Sequence, residues 1–157
     1  MNSKYEISKK ENREFLKASC EDLLNFGHRF PSPNGGSYYL GDDGTPWKDR
    51  NRETWITCRM AHVYSLGLML GHEGSGELAD AALKGLKGEL HDEKNGGWYA
   101  GVTPEGDIVP SKQCYAHAFV ILAASSALTA GRPGAKELLE EALAVYDRHF
   151  WNEEEGL

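Results

Sequence analysis

Apolar residues recur with helical spacing in five segments of the chain, and the segments are of two kinds. Over residues 11–26, Phe15, Leu16, Ser19, Leu23 and Leu24 share a face, while Arg13, Lys17, Glu21 and Asp22 lie elsewhere. This is the pattern of an amphipathic surface helix. Residues 54–71 differ, because Trp55, Ile56, Met60, Val63, Tyr64, Leu66, Leu68, Met69 and Leu70 surround the helix. A helix that is apolar on every side is expected to be buried. Residues 77–90 are amphipathic again, with Ala79, Ala82, Leu83, Leu86 and Leu90 on one face. Residues 112–130 are apolar all round, and residues 135–150 set Leu138, Leu139, Ala142, Leu143 and Tyr146 against a row of acidic residues. The predicted order is outer, inner, outer, inner, outer.

The connections alternate as well. Each outer helix leads into a long loop, at about 31–53 and 91–111, and each inner helix into a short turn. Both long loops carry a Gly-Gly-x-Tyr element, Gly35-Gly36-Ser37-Tyr38 and Gly96-Gly97-Trp98-Tyr99, 61 residues apart. A third copy begins at Asn152-Glu153-Glu154-Glu155-Gly156-Leu157, which echoes Asp92-Glu93-Lys94-Asn95-Gly96-Gly97. The chain is therefore a repeat of about 60 residues: outer helix, long loop with a glycine turn, inner helix. Such units bury their apolar faces only by stacking. A stack ends either in a polar cap, of which the sequence has no sign, or by closing into a ring. Six units of this size close an α/α toroid of about 360 residues. The expectation is all-α: residues 1–157 as a partial (α/α)6-barrel domain of about two and a half repeats. Such a chain is the N-terminal part of a longer toroid, or it completes itself by self-association through exposed inner helices.

Composition narrows the function. The 157 residues are 40% hydrophobic, with a net charge of −7 and a pI of about 5.4. That balance speaks against nucleic acid or an anionic membrane as partner. No apolar run reaches the length of a membrane span, and the polar start Met1–Lys10 has no signal core. The three cysteines, Cys20, Cys58 and Cys114, form no CxxC pair and read as small buried residues in a cytoplasmic protein. The Glu153–Glu155 run reads as a solvated face and Asp42-Asp43-Gly44 as a turn.

Three motifs carry a resemblance. The segment Thr54-Trp55-Ile56-Thr57-Cys58-Arg59-Met60-Ala61-His62-Val63-Tyr64 resembles the Trp-x-x-x-Arg-Met-x-His stretch of the N-acylglucosamine 2-epimerase superfamily, with the mannose isomerase and sulfoquinovose isomerase branch the nearer match. Gly96-Gly97-Trp98-Tyr99 and Lys112-Gln113-Cys114-Tyr115-Ala116-His117-Ala118-Phe119 resemble the next two landmarks, in order and spacing. The resemblance implies an (α/α)6 barrel. It also implies an aldose–ketose isomerase or 2-epimerase that acts on a monosaccharide without metal or nucleotide cofactor. The family's proton-transferring histidine pair and its Asn-x-x-x-His sugar-binding motif belong to later repeats and have no counterpart in this sequence, so the chain alone is expected to be inactive.

The chemistry sets what the site must contain. Aldose isomerisation removes a proton beside a carbonyl and builds negative charge on the oxygen of an enediolate. It needs a base, a fixed donor at that oxygen, and a platform for the sugar. Arg59 is the candidate donor, since an unpaired cation on an apolar helix is costly without a role and its fork matches adjacent sugar oxygens. Its plainer role is an ion pair with Asp42, Asp43 or Asp49. Trp55, at i−4, shares its face and suits a sugar platform or simple core packing. His62, at i+3, is roughly co-facial, though a lone histidine on an apolar helix usually serves the core. Tyr115 opens the second inner helix with a hydroxyl suited to a sugar oxygen or to a helix entrance. His117 points elsewhere on that helix, and Lys112 is expected at an acidic loop residue or the pocket rim. Trp98 and Tyr99 either line a pocket mouth or plug loop to helix. A glycoside hydrolase or lyase on the same toroid requires paired carboxylates, which the inner helices lack. A non-enzymatic helical repeat for partner or glycan binding is the remaining alternative.

Overall fold

The structure, a computed structural model, describes residues 6–156; residues 1–5 of the polar start and Leu157 of the third glycine segment lie outside them. Five helices carry the fold: α1 (Lys10–Gly27), α2 (Thr54–Met69), α3 (Ser75–Leu86), α4 (Cys114–Thr129) and α5 (Ala135–His149). The long loops hold what helical periodicity does not register, a set of two-residue strands. β1 (Tyr39–Leu40) and β2 (Pro46–Trp47) make one hairpin. β4 (Gly101–Val102) and β5 (Ile108–Val109) make the equivalent hairpin one repeat later. β3 (Arg52–Glu53) leaves the first loop and pairs antiparallel with β4 of the second.

The inner helices α2 and α4 pack on each other, α3 covers α2, and α5 covers α4. Small residues allow the close approach: Ala61, Ala79, Ala82, Ala116, Ala123, Ala124 and Ala127 are all inaccessible to solvent. Each inner helix ends in the same four-residue turn. Gly71 and Gly131, then Gly74 and Gly134, take left-handed φ values between 68° and 82°, and a side chain there would be strained. His72 N–H bonds Gly67 O, and Arg132 N–H bonds Ala127 O, closing the two turns alike.

The 60-residue period also holds at the level of single hydrogen bonds. Ser32 N–H bonds Gly36 O, and Asp92 N–H bonds Gly97 O. Gly96 N–H bonds Asp92 O, and Gly156 N–H bonds Asn152 O, so the third copy starts the same turn. One cation fastens each complete turn. Arg52, nearly buried, donates to Ser32 Oγ and Gly35 O and pairs with Glu89 at 2.6 Å. Lys112 donates to Gly96 O and pairs with Asp92 at 2.7 Å. The Lys112 bond, then that from Asn95, holds the Asp92 carboxyl well below the usual carboxylate range. Lys112 thus takes the acidic loop partner its position suggested.

Several expectations need correction. The inner helices are not covered on every side: Val63, Leu66 and Met69 on α2, Leu70 just past its end, and Leu122 and Leu128 on α4, are exposed. The described part of the chain gives each inner helix neighbours over only part of its circumference. For the same reason Phe15, Leu16 and Leu23 of α1 are exposed, and only Leu24 of its apolar face is buried. Leu90 is buried, but it lies beyond α3, which ends at Leu86. Of the cysteines only Cys58 is buried; Cys20 and Cys114 are exposed. No described helix is long and apolar enough to cross a membrane.

Candidate functional site

Trp55 and Arg59 stand one turn apart at the start of α2. Tyr115 and Phe119 stand at the repeat-equivalent positions of α4. Because the two inner helices pack side by side, these four residues meet. The Arg59 guanidinium lies over the Trp55 ring at 4.7 Å and over Phe119 at 5.1 Å. Its Nη2 donates to the Tyr115 hydroxyl at 3.3 Å. Trp55 and Tyr115 rings are 6.1 Å apart, and Tyr115 and Phe119 rings 4.9 Å. None of the carboxylates considered for Arg59 pairs with it among the described residues; aromatic faces and one hydroxyl are its partners. Cation–π contacts contribute about 0.5–1 kcal/mol each at partly exposed sites. They orient the guanidinium without neutralising it. The result is an exposed, fixed fork of donors above a half-buried aromatic floor.

Besides Phe119, two more residues that the sequence reading did not single out join this group. Glu53 of β3 accepts a hydrogen bond from Trp55 Nε1 at 2.8 Å and a second from the Tyr39 hydroxyl, both on Oε2. Tyr39, on β1, sets its ring edge-on to Trp55 at 6.3 Å. Burial, then the Glu53 carboxylate, pushes the Tyr39 phenol above its ordinary pKa. Helical spacing carries no signal for either residue, since both sit on loop strands.

The hydrogen bonds of His62 and His117 go to other partners than the guanidinium. His62 Nδ1 lies 2.6 Å from Ser126 Oγ, tying α2 to α4. His117 is 1% exposed; its Nε2 accepts from Trp98 N–H at 3.1 Å, and its Nδ1 donates to Gln113 O at 2.8 Å. Thr57, one repeat earlier, does the same work, with Oγ1 accepting from Ser37 N–H at 3.0 Å. His117 is thus the side chain that carries the second glycine turn on α4. Burial keeps its pKa below the usual value. Trp98 is buried and donates to Leu86 O at 2.8 Å, plugging loop to helix. Asp43 closes its turn on Thr45, as the Asp-Asp-Gly pattern predicts.

Comparison with known proteins follows the same lines. The family model for N-acylglucosamine 2-epimerase (GlcNAc 2-epimerase) matches residues 35–157, and the chain belongs to that family. It is 42% identical over 146 residues to a D-mannose isomerase of Thermobifida fusca, which covers 92% of this chain and 36% of that protein. It is 37% identical over 145 residues to a D-mannose isomerase of Pseudomonas cannabina pv. alisalensis, covering 92% and 34%. The chain therefore spans about a third of the length of these curated relatives. Among solved structures, a D-mannose isomerase superposes with a TM-score of 0.83 at 24% identity, over 97% of this chain and 39% of that one. The cellobiose 2-epimerase of Bacillus thermoamylovorans B4167 superposes with a TM-score of 0.77 at 25% identity, over 92% and 39%. The fold is that of part of an (α/α)6 barrel.

Proposed function

We propose, from the chain's place in the N-acylglucosamine 2-epimerase family, that residues 1–157 form the N-terminal portion of an (α/α)6-barrel sugar isomerase of the mannose–fructose type. The observation that carries this reading is the state of Arg59, a cation with no carboxylate partner among the described residues, fixed between two aromatic rings and a phenol. Its two-donor fork binds adjacent oxygens of an open-chain aldose and stabilises the negative charge that grows on the carbonyl oxygen of the enediolate. Trp55 supplies the platform for the sugar's carbon face, and the Tyr115 hydroxyl donates to a further sugar oxygen. His62 ties the two inner helices together through Ser126, and His117 fixes the second glycine turn. The proton shuttle comes from repeats outside this sequence. A 2-epimerase outcome is the second reading, favoured by the likeness to a cellobiose 2-epimerase. The two reactions share the enediolate and differ in where the proton returns.

The test is a mannose-to-fructose assay, with a panel of aldoses and disaccharides alongside. It is run on this chain and on the chain extended by its continuous downstream sequence. Activity in the extended form alone is the expected result. Activity in the 157-residue chain by itself would show that these residues already hold the proton shuttle. Inactivity of the extended form on every sugar would overturn the enzyme reading.

A further inference from the structure

We infer that Glu53 and Tyr39 form a positioning clamp for the Trp55 platform, an inference that rests on the sugar-isomerase reading above. Three elements converge on one carboxylate oxygen. Glu53 Oε2 receives both Trp55 Nε1–H, from α2, and Tyr39 O–H, from β1. The backbone of Glu53 is itself held, because β3 pairs with β4 and the next residue, Thr54, bonds Ala100 O through N–H and Tyr99 O through its hydroxyl.

The core does not require this arrangement. Glu53, Tyr39 and Trp55 are all only partly buried, and a carboxylate at such a place is normally left to water. Its effect is on orientation. An indole at the first turn of a helix has two accessible flips about χ2, and only one brings Nε1 to Glu53. With that flip fixed, the face of Trp55 lies under the Arg59 guanidinium. The carboxylate thus sets the orientation of the platform. Glu53 makes no ion pair with Arg59 among the described residues, so it acts through Trp55 and not by charge neutralisation.

A double-mutant cycle distinguishes such a role from general loop stability. In the extended, active protein, Glu53→Ala is expected to raise KM about tenfold with kcat little changed, the size of one lost hydrogen bond to a charged group. In a Trp55→Phe background, Glu53→Ala is expected to add nothing further. Glu53→Gln, which retains an acceptor for the indole, restores most of the KM. An equal effect of Glu53→Ala in both backgrounds overturns the clamp while leaving the isomerase reading standing. Two readouts need no activity. The Trp55 indole N–H resonance, assigned with Trp55→Phe, shifts in Glu53→Ala. The Tyr39 phenol, followed by tyrosinate absorbance and assigned with Tyr39→Phe, titrates lower in Glu53→Gln. If neither moves, the clamp is refuted, whatever the protein catalyses. If both move and the extended protein turns over no sugar, the clamp stands and the isomerase reading fails.

Discussion

At the residue scale, the gathering of Arg59, Trp55, Tyr115 and Phe119 follows from one spacing used twice. The i, i+4 interval puts Trp55 with Arg59 and Tyr115 with Phe119, and the repeat puts the two pairs side by side. The Trp55–Arg59 pair and the equivalent place of Tyr115 were legible in the sequence, because helical periodicity and the repeat offset are carried by residue positions alone; Phe119 was read there only as an apolar helix residue. Glu53 and Tyr39 were not legible, since their meeting depends on the path of the loops. His117 shows a second kind of hidden information. Read singly it is a histidine on an apolar helix; read against Thr57 it is an acceptor for the glycine turn. Its Nε2 accepts a hydrogen bond and its Nδ1 donates one, so the folded protein holds it neutral. An unfolded histidine takes up a proton near pH 6.5, and burial keeps the folded pKa below that. The unfolded chain therefore binds the extra proton first. The stability His117 contributes is complete above pH 6.5 and falls as the pH drops through its folded pKa. Urea midpoints between pH 7.5 and 5.5 should fall with acidification, and the fall should be shallower in His117→Gln.

At the element scale, the five helices begin and end within a few residues of the positions that periodicity predicts. The largest departure is at the end of α3. α3 stops at Leu86, one residue past Gly85, where the first glycine turn crosses it. A Cβ built on Gly85 would sit 2.3 Å from Gly36 N and 2.5 Å from Gly36 Cα, contacts with backbone that no rotamer relieves. Gly36 N–H in turn bonds Ala81 O, so the turn is seated directly on α3. Gly85→Ala should therefore cost about 1–3 kcal/mol, as overpacking against fixed backbone does, and thermal or urea unfolding will measure it. Gly88→Ala is the milder comparison and should cost less: its Cβ meets a single backbone atom, Lys84 O at 3.0 Å, against the three backbone contacts under 3.0 Å at Gly85. The sequence marks both as glycines near a helix end and does not say which one another segment crosses.

At the scale of the whole molecule, the repeat explains an uneven surface. Leu16, Leu23, Leu24, Val63, Leu66 and Leu70 line an apolar groove of about 350 Å³ between α1 and α2, and Leu122 and Leu128 are exposed on α4. Contiguous apolar patches of this kind mark surfaces meant to be covered. In a stack of repeats the cover is the next unit. The 157-residue chain is accordingly expected to bind a hydrophobic dye and to self-associate, and the extended chain to do less of both. Dye fluorescence and light scattering on the two forms check this, and a monomer that binds no dye would favour a self-contained binding module. The number of repeats and the presence of exposed inner-helix surface were readable from the glycine turns, whereas which residues stay uncovered was not, since hydrophobicity records what a residue needs and not which neighbours are present.

The antiparallel pairing of β3 with β4 has a consequence for engineering. The strand that bears Glu53 originates in one loop but takes its backbone partners from the other. The two loops are laced together, and a graft of either one alone would cut the lacing beside Trp55. A chimaera between relatives must move both loops as a single cassette.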